Sequence, residues 1–299
     1  MTARGLGVQS ALRVLPEPVA VCFSLVTQLG DVWFLVSVVT LVYWVGPQLP
    51  RVGDAIDRRR AAVVLGAVLG ALVVVTVGKE LFALPRPPGA SEAPQAELVP
   101  TALWPLYESF ATGTGYGFPS GHAIGSTAAF GGLAWAIRAG RTRTRIAVAT
   151  GLVAVVSLSR LVLGLHYLVD VLTGIGLGLI VLAVAVALRD PGRVFAVGAV
   201  VGVVGLAVIG PVPDLVLLVG ATAGAALGWQ AVADGLSRSP TQRAAVVTVT
   251  VGAVVVGPLL VLGETLHGQA VVAASTALVG GLAVVAMPLA SERVVEKSV

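Results

Sequence analysis

The sequence predicts an all-α fold, a polytopic bundle of about nine membrane-spanning helices. Three observations predict it. Hydrophobic residues make up 57% of the 299-residue chain and charged residues only 11%, with a mean hydropathy of +0.96. That charge is too sparse to cover a soluble surface. Apolar runs of about 20 residues, enough to cross a hydrocarbon core, recur from end to end. Cations also concentrate in alternate connections between these runs, as topology signals do.

The runs fall near 19–47, 61–83, 120–137, 146–163, 167–188, 194–210, 214–233, 244–262 and 269–290. One misjudged run would change the count to eight or ten. The first run carries Thr27, Gln28, Gly30 and Asp31 in its middle, so Pro18 to Leu29 is a candidate interfacial helix ahead of the true crossing. Arg4 and Arg13 precede it without a small-residue cleavage site, and the run is expected to be retained. The Val, Ala and Gly richness of the later runs suits close helix packing in lipid.

One set of connections collects Arg51, Arg58 to Arg60, Arg138, Arg141, Arg143, Arg145, Arg189, Arg193, Arg238, Arg243, Arg293 and Lys297, most of the 19 cations. By the positive-inside rule this side is cytoplasmic, with the N-terminus outside and the C-terminus inside. The net charge of +4 is thereby explained without a nucleic-acid partner. Cys22 is the only cysteine, which excludes an internal disulfide and a cysteine metal site. On the other side remain Arg4, Arg13, Lys79, Arg86 and Arg160, and the last three require a separate explanation.

The longest connection, Leu84 to Phe118, is rich in Pro, Gly and Ser and carries Trp104, Tyr107, Phe110 and Tyr116. Trp and Tyr favour the headgroup zone, so a lid lying on the membrane and a loose loop are both open readings. Lys79 ends the second run and Arg86 follows seven residues later, about two helical turns on, until Pro85 and Pro87 break the helix. Pro119-Ser120-Gly121-His122 opens the third run. Ser is a good N-cap, and the free N–H groups of a first helical turn, approached closely at Gly121, form an anion site. Ser159-Arg160 lies at the end of the fourth run, and His166 and Asp170 at the start of the fifth. At that spacing a helix would put imidazole and carboxylate on one face, leaving the second ring nitrogen pointing away.

Ionisable groups inside a membrane cost about 2.5–3.5 kcal/mol each on insertion scales, so a cluster of them needs partners, water or a function. Read singly, each piece has a bland explanation: an interfacial Lys79 anchor, a capped helix with an interfacial His122, a snorkelling Arg160 beside a structural His–Asp pair. Together they place two of the chain's three histidines beside three cations on one side of the membrane. The third, His267, lies in a short connection and reads as structural.

The spaced pattern Lys79, six residues, Arg86-Pro87; Pro119-Ser120-Gly121-His122; Ser159-Arg160, five residues, His166, three residues, Asp170 resembles the type 2 phosphatidic acid phosphatase superfamily, which includes vanadium-dependent haloperoxidases. The resemblance covers about residues 20 to 190. It implies a phosphatase-like membrane core over 1–190 and a C-terminal helical extension, 191–299, of unassigned role. It implies that His166 attacks phosphorus to give a phosphohistidine, that Asp170 orients it, and that His122 protonates the leaving oxygen and later activates water. Lys79, Arg86, Ser120, Gly121 and Arg160 would bind the phosphate. No metal or other cofactor is implied, the cations doing the work of metal ions.

A site on the outer face at membrane depth implies a lipid substrate. Phosphatidate-like lipids, polyprenyl diphosphates and phosphatidylglycerophosphate-like lipids all fit. Two other readings stay open: a phosphotransferase passing the phosphoryl group to an alcohol, and a non-enzymatic phosphate-binding carrier. Asp214, Asp234 and Glu264 fall near run ends, which leaves the last four runs without an ionisable path. They suit an oligomer interface or a groove for a long lipid tail.

Overall fold

The computed structural model describes residues 3–8, 12, 18–94, 96–237, 240–265 and 268–298. Arg13, Arg238 and His267 lie outside these residues. Among the described residues there is no strand, only one isolated bridge between Ile56 and Ile137.

Among the described residues, seven helices are long and apolar enough to cross a membrane. They are α3 (Arg58–Phe82), α6 (Thr142–Val162), α7 (Leu168–Leu188), α8 (Pro191–Ile209), α9 (Pro213–Val232), α10 (Gln242–Thr265) and α11 (Ala270–Glu296), of which α10 qualifies through Gln242–Leu259. The first expected run is broken: α1 (Pro18–Val26) and a 3-10 turn, Thr27–Gly30, meet α2 (Val32–Val45) at 45°. The third expected run is a helix of 16 residues, α5 (Gly121–Ala136), about 24 Å long. Too short for a bilayer alone, α5 sits at the centre, packed by α2, α3, α6 and α7.

Helix α3 is the spine. Asp57 caps it, accepting from the Arg60 N–H at 3.1 Å, and Ala61, Leu65, Val68, Ala71 and Val75 are buried along it. The long connection is ordered around α4 (Trp104–Ala111), whose Tyr107 and Ala111 pack with Ala20, Ala90, Leu163 and Leu165. Leu103, Trp104 and Leu106 of this connection are exposed. It is therefore a packed cover rather than a loose loop.

The last four helices form a second layer. Helices α9 and α11 meet along Gly220, Gly224 and Gly228, the small-residue contact that lipid-embedded helices favour. The layer is bolted to the first half: Tyr43 Oη donates to the Val285 carbonyl and Trp44 Nε1 to that of Val284, each at 2.7 Å. Arg58 and Glu292 form a buried ion pair at 2.5 Å. Glu292 is thus an ionisable group inside the extension, one that the reading of its runs overlooked.

Candidate active site

The ends of α3, α6 and α7 and the start of α5 carry the expected site residues to one end of the bundle. Helix α3 stops at Phe82 because Ala83 takes a left-handed conformation, φ 47°, and donates its N–H to the Lys79 carbonyl. Arg86 therefore does not sit two helical turns beyond Lys79, as the spacing suggested. It lies in extended chain and is fixed by loops: Nε donates to Thr114 O at 2.9 Å and Nη1 to Leu165 O at 3.0 Å. Its Nη1 also lies 3.2 Å from His166 Nε2.

The His166 ring has one tautomer compatible with its neighbours. A guanidinium can only donate, so Nε2 next to Arg86 is the acceptor, and Nδ1–H donates to the Gly117 carbonyl at 2.7 Å. Burial, reinforced by Arg160, Arg86 and Lys79, pushes the His166 pKa well below the ordinary imidazole value of 6.5, although the Gly117 bond opposes this. The ring is neutral, with its lone pair towards the cations.

Asp170 differs from the expected arrangement. His166 precedes α7 instead of lying on it, and its Nδ1 is 3.6 Å from Asp170 Oδ2, beyond a hydrogen bond. Gly117 orients the ring in its place. Asp170 Oδ2 instead accepts from the Tyr167 N–H at 2.9 Å, and Oδ1 pairs with Arg4 at 3.1 Å. Arg4 also donates to the Pro85 carbonyl at 2.6 Å, and its guanidinium lies 4.7 Å from the Tyr167 ring centroid. One N-terminal side chain thus ties together the segments that carry Arg86, His166 and Asp170.

Ser120 occupies the N-cap position of α5 but makes no side-chain cap bond, a departure from its expected role. Its N–H donates to the Asp170 carbonyl at 3.0 Å. That link needs Gly174 on α7, where an added Cβ would stand 2.7 Å from the Ser120 carbonyl oxygen. Gly121 follows in the first turn of α5, and His122 behind it has Asp31 Oδ2 at 4.0 Å from Nε2. Arg160 donates from Nη1 to Thr27 Oγ1 at 2.7 Å. Gly30 makes the break after α1 fit here, since a Cβ on it would press on Val156 and stand 3.1 Å from His122 Cδ2.

Lys79, Arg86 and Arg160 act electrostatically on both imidazoles. Among the described residues, none of the three forms a salt bridge. Ser120 Oγ, His122 Nε2 and Arg160 Nε are buried without a hydrogen-bond partner. Buried polar atoms are normally satisfied, so three orphans from α5 and α6 beside unpaired cations describe a cradle for an oxyanion.

Arg4, Thr27 and Asp31 were not assigned to the site from the sequence. Their only signal was polarity in or before an apolar run, with no spacing to tie them to residues more than ninety positions away. The model of the PAP2 superfamily matches residues 60–192. That stretch holds every site residue expected from the sequence, and Arg4, Thr27 and Asp31 precede it. No curated protein and no solved structure matches the chain.

Proposed function

With residues 60–192 belonging to the PAP2 superfamily, we propose that the protein is a membrane phosphatase that hydrolyses a phosphate or diphosphate monoester of a lipid through a phosphohistidine. The observation that carries this reading is that, among the described residues, the three cations around a neutral His166 form no salt bridge. Uncompensated buried charge is costly, and a phosphoryl group bearing two negative charges would offset it.

His166 Nε2 gives its lone pair to phosphorus as the bond from phosphorus to the leaving oxygen breaks. Nδ1 keeps its proton on Gly117 O. The leaving oxygen takes a proton from His122 Nε2, which must enter this step as the imidazolium, a state that the bound phosphate dianion and Asp31 Oδ2 at 4.0 Å favour. Water then attacks the phosphohistidine and loses a proton to His122, the P–N bond breaks, and phosphate leaves with His166 restored. Lys79, Arg86 and Arg160 stabilise charge on the equatorial oxygens, helped by Ser120 Oγ and the Gly121 N–H. No metal ion is required by this sequence of steps. Asp170 acts on His166 from 3.6 Å by holding the Tyr167 turn and opposing charge that develops on the ring. It is a positioning residue here.

The cation-rich connections lie at the opposite end of the bundle from the site. The positive-inside rule then puts the site on the extracytoplasmic face, with substrate arriving from the outer leaflet. Phosphate release from phosphatidate and polyprenyl diphosphate by detergent-solubilised protein tests the proposal. Release that disappears in His166→Ala, with acid-labile phosphate trapped on the wild-type chain, is the expected result. Full turnover by His166→Ala removes the mechanism.

A further inference from the structure

A cavity of about 530 Å³ lies between the two layers of helices, lined by α2 and α3 on one side and by α9, α10 and α11 on the other. Asp31 is part of its lining, the same residue whose carboxylate lies 4.0 Å from His122 Nε2. Beyond Asp31 the walls are apolar or small, for example Val36, Leu69, Leu217, Ala221 and Gly280. Helix α2 contributes from Val32 to Thr40, α9 from Leu217 to Ala225 and α11 from Thr276 to Val284. Each stretch rises about 12 Å along its helix, so the cavity is a slot that extends about that far along the helices.

We infer that this slot takes one hydrocarbon chain of the substrate lipid while its phosphate lies among Lys79, Arg86 and Arg160. The inference rests on the phosphatase reading and extends it by giving the last four helices a task. Three arguments fix the occupant. Asp31 borders both the cavity and the cluster, its carboxylate lying 4.0 Å from His122 Nε2, so a molecule with its phosphate in the cluster has the cavity one residue away. Apart from α2, the walls belong to helices of membrane-spanning length, where the available apolar chains are those of lipids. Apart from Asp31, Ser37, Thr40 and Thr276, the lining side chains are apolar or glycine, too few polar groups to hold a headgroup.

Helices α9 and α11 form one side of the slot, and neither belongs to the matched stretch of residues 60–192. The extension is therefore a substrate-selecting wall: chain length and branching are read by α2, α3, α9 and α11, while the chemistry is performed by the first layer. A tail shorter than the slot would leave apolar surface uncovered and bind about fourfold more weakly for each methylene lost.

Ser37→Trp and Ala221→Phe fill the slot from opposite walls, and neither residue belongs to the catalytic cluster. The kinetic arm compares dioleoyl phosphatidate with phenyl phosphate, which has no tail. Each variant is expected to lose at least tenfold in kcat/KM on the lipid and to keep phenyl phosphate turnover within twofold of wild type. Wild-type kinetics on the lipid in both variants would overturn the inference, as would equal losses on both substrates in protein that elutes as a folded species.

The second arm needs no turnover. A phosphatidate carrying a diazirine near the end of one acyl chain is photolysed with the full-length His166→Ala protein, and the labelled peptides are mapped. Label in α2 and α9 that Ser37→Trp suppresses supports the slot, even if the wild-type protein hydrolysed neither substrate and the phosphatase reading fell. Label confined to outward-facing positions of the helices overturns it.

Discussion

The two ends of the bundle handle positive charge in opposite ways. At the cation-rich end, arginines meet acids or aromatic rings: Arg58 pairs with Glu292 at 2.5 Å, Arg59 with Asp190 at 2.6 Å, and Arg60 lies 4.7 Å from the Trp135 ring centroid. At the other end, among the described residues, Lys79, Arg86 and Arg160 form no salt bridge. The first arrangement locks helices together. The second keeps donors available, which in a low-dielectric setting gives them their largest effect on developing charge. The same residue type thus serves cohesion at one end and chemistry at the other, and its partners decide which.

This contrast breaks most sharply at His166. Replacing it by Ala should reduce phosphate release to background, read as inorganic phosphate per mole of folded protein. Next come His122→Ala and Arg160→Ala, each expected to lower kcat by about 10²–10⁴-fold, the range for a general acid or a transition-state charge donor. Arg58→Ala should behave in the opposite way. It strands Glu292 in a buried setting, at a cost of about 3–5 kcal/mol, so the thermal unfolding midpoint should drop while turnover of the folded fraction stays near wild type. Equal losses of activity in Arg58→Ala and Arg160→Ala would erase the distinction between the ends.

Arg4→Ala is a smaller probe. Losing the bridge to Asp170 and Pro85 should lower kcat by about tenfold, in line with about 1.5–3 kcal/mol for hydrogen bonds to charged groups and partial solvent access. Arg4→Lys should restore part of it. The finest probe is pH. His166 must be neutral to attack, and burial with the neighbouring cations holds its pKa well below 6.5. Activity should therefore persist as pH falls through 6.5 and decline only below it, in a profile of kcat/KM for the free enzyme. Arg86→Ala removes one of those cations and should move the acid limb upwards, towards 6.5.

Much of the fold was legible because membrane helices advertise themselves by length and apolarity. Where the expectation and the structure part, local backbone chemistry is responsible. The first run does break after the short helix that its mid-run polar residues suggested, and what the sequence did not show is why: Gly30 must pass close to His122 and Val156. The third is a 16-residue helix that the surrounding helices shield from lipid, so it does not need spanning length. In the site, the side-chain types and their order along the chain were readable, but the hydrogen bonds were not. Helical spacing joined His166 to Asp170 and Lys79 to Arg86, and in both pairs one member lies off the helix. Gly117 and Thr114 act through their carbonyls, which any residue would offer. Arg4 and Asp170 are 166 positions apart, beyond any periodicity.

The break after α1 has a consequence for what counts as the working unit. Thr27 binds Arg160, Asp31 stands beside His122, and both precede residue 60, where the matched stretch begins. A fragment cut at the boundaries of the match would carry the whole signature yet leave its arginine and its imidazole each without a neighbour. Transplanting this catalytic apparatus onto another scaffold would require moving the elbow that cradles it as well.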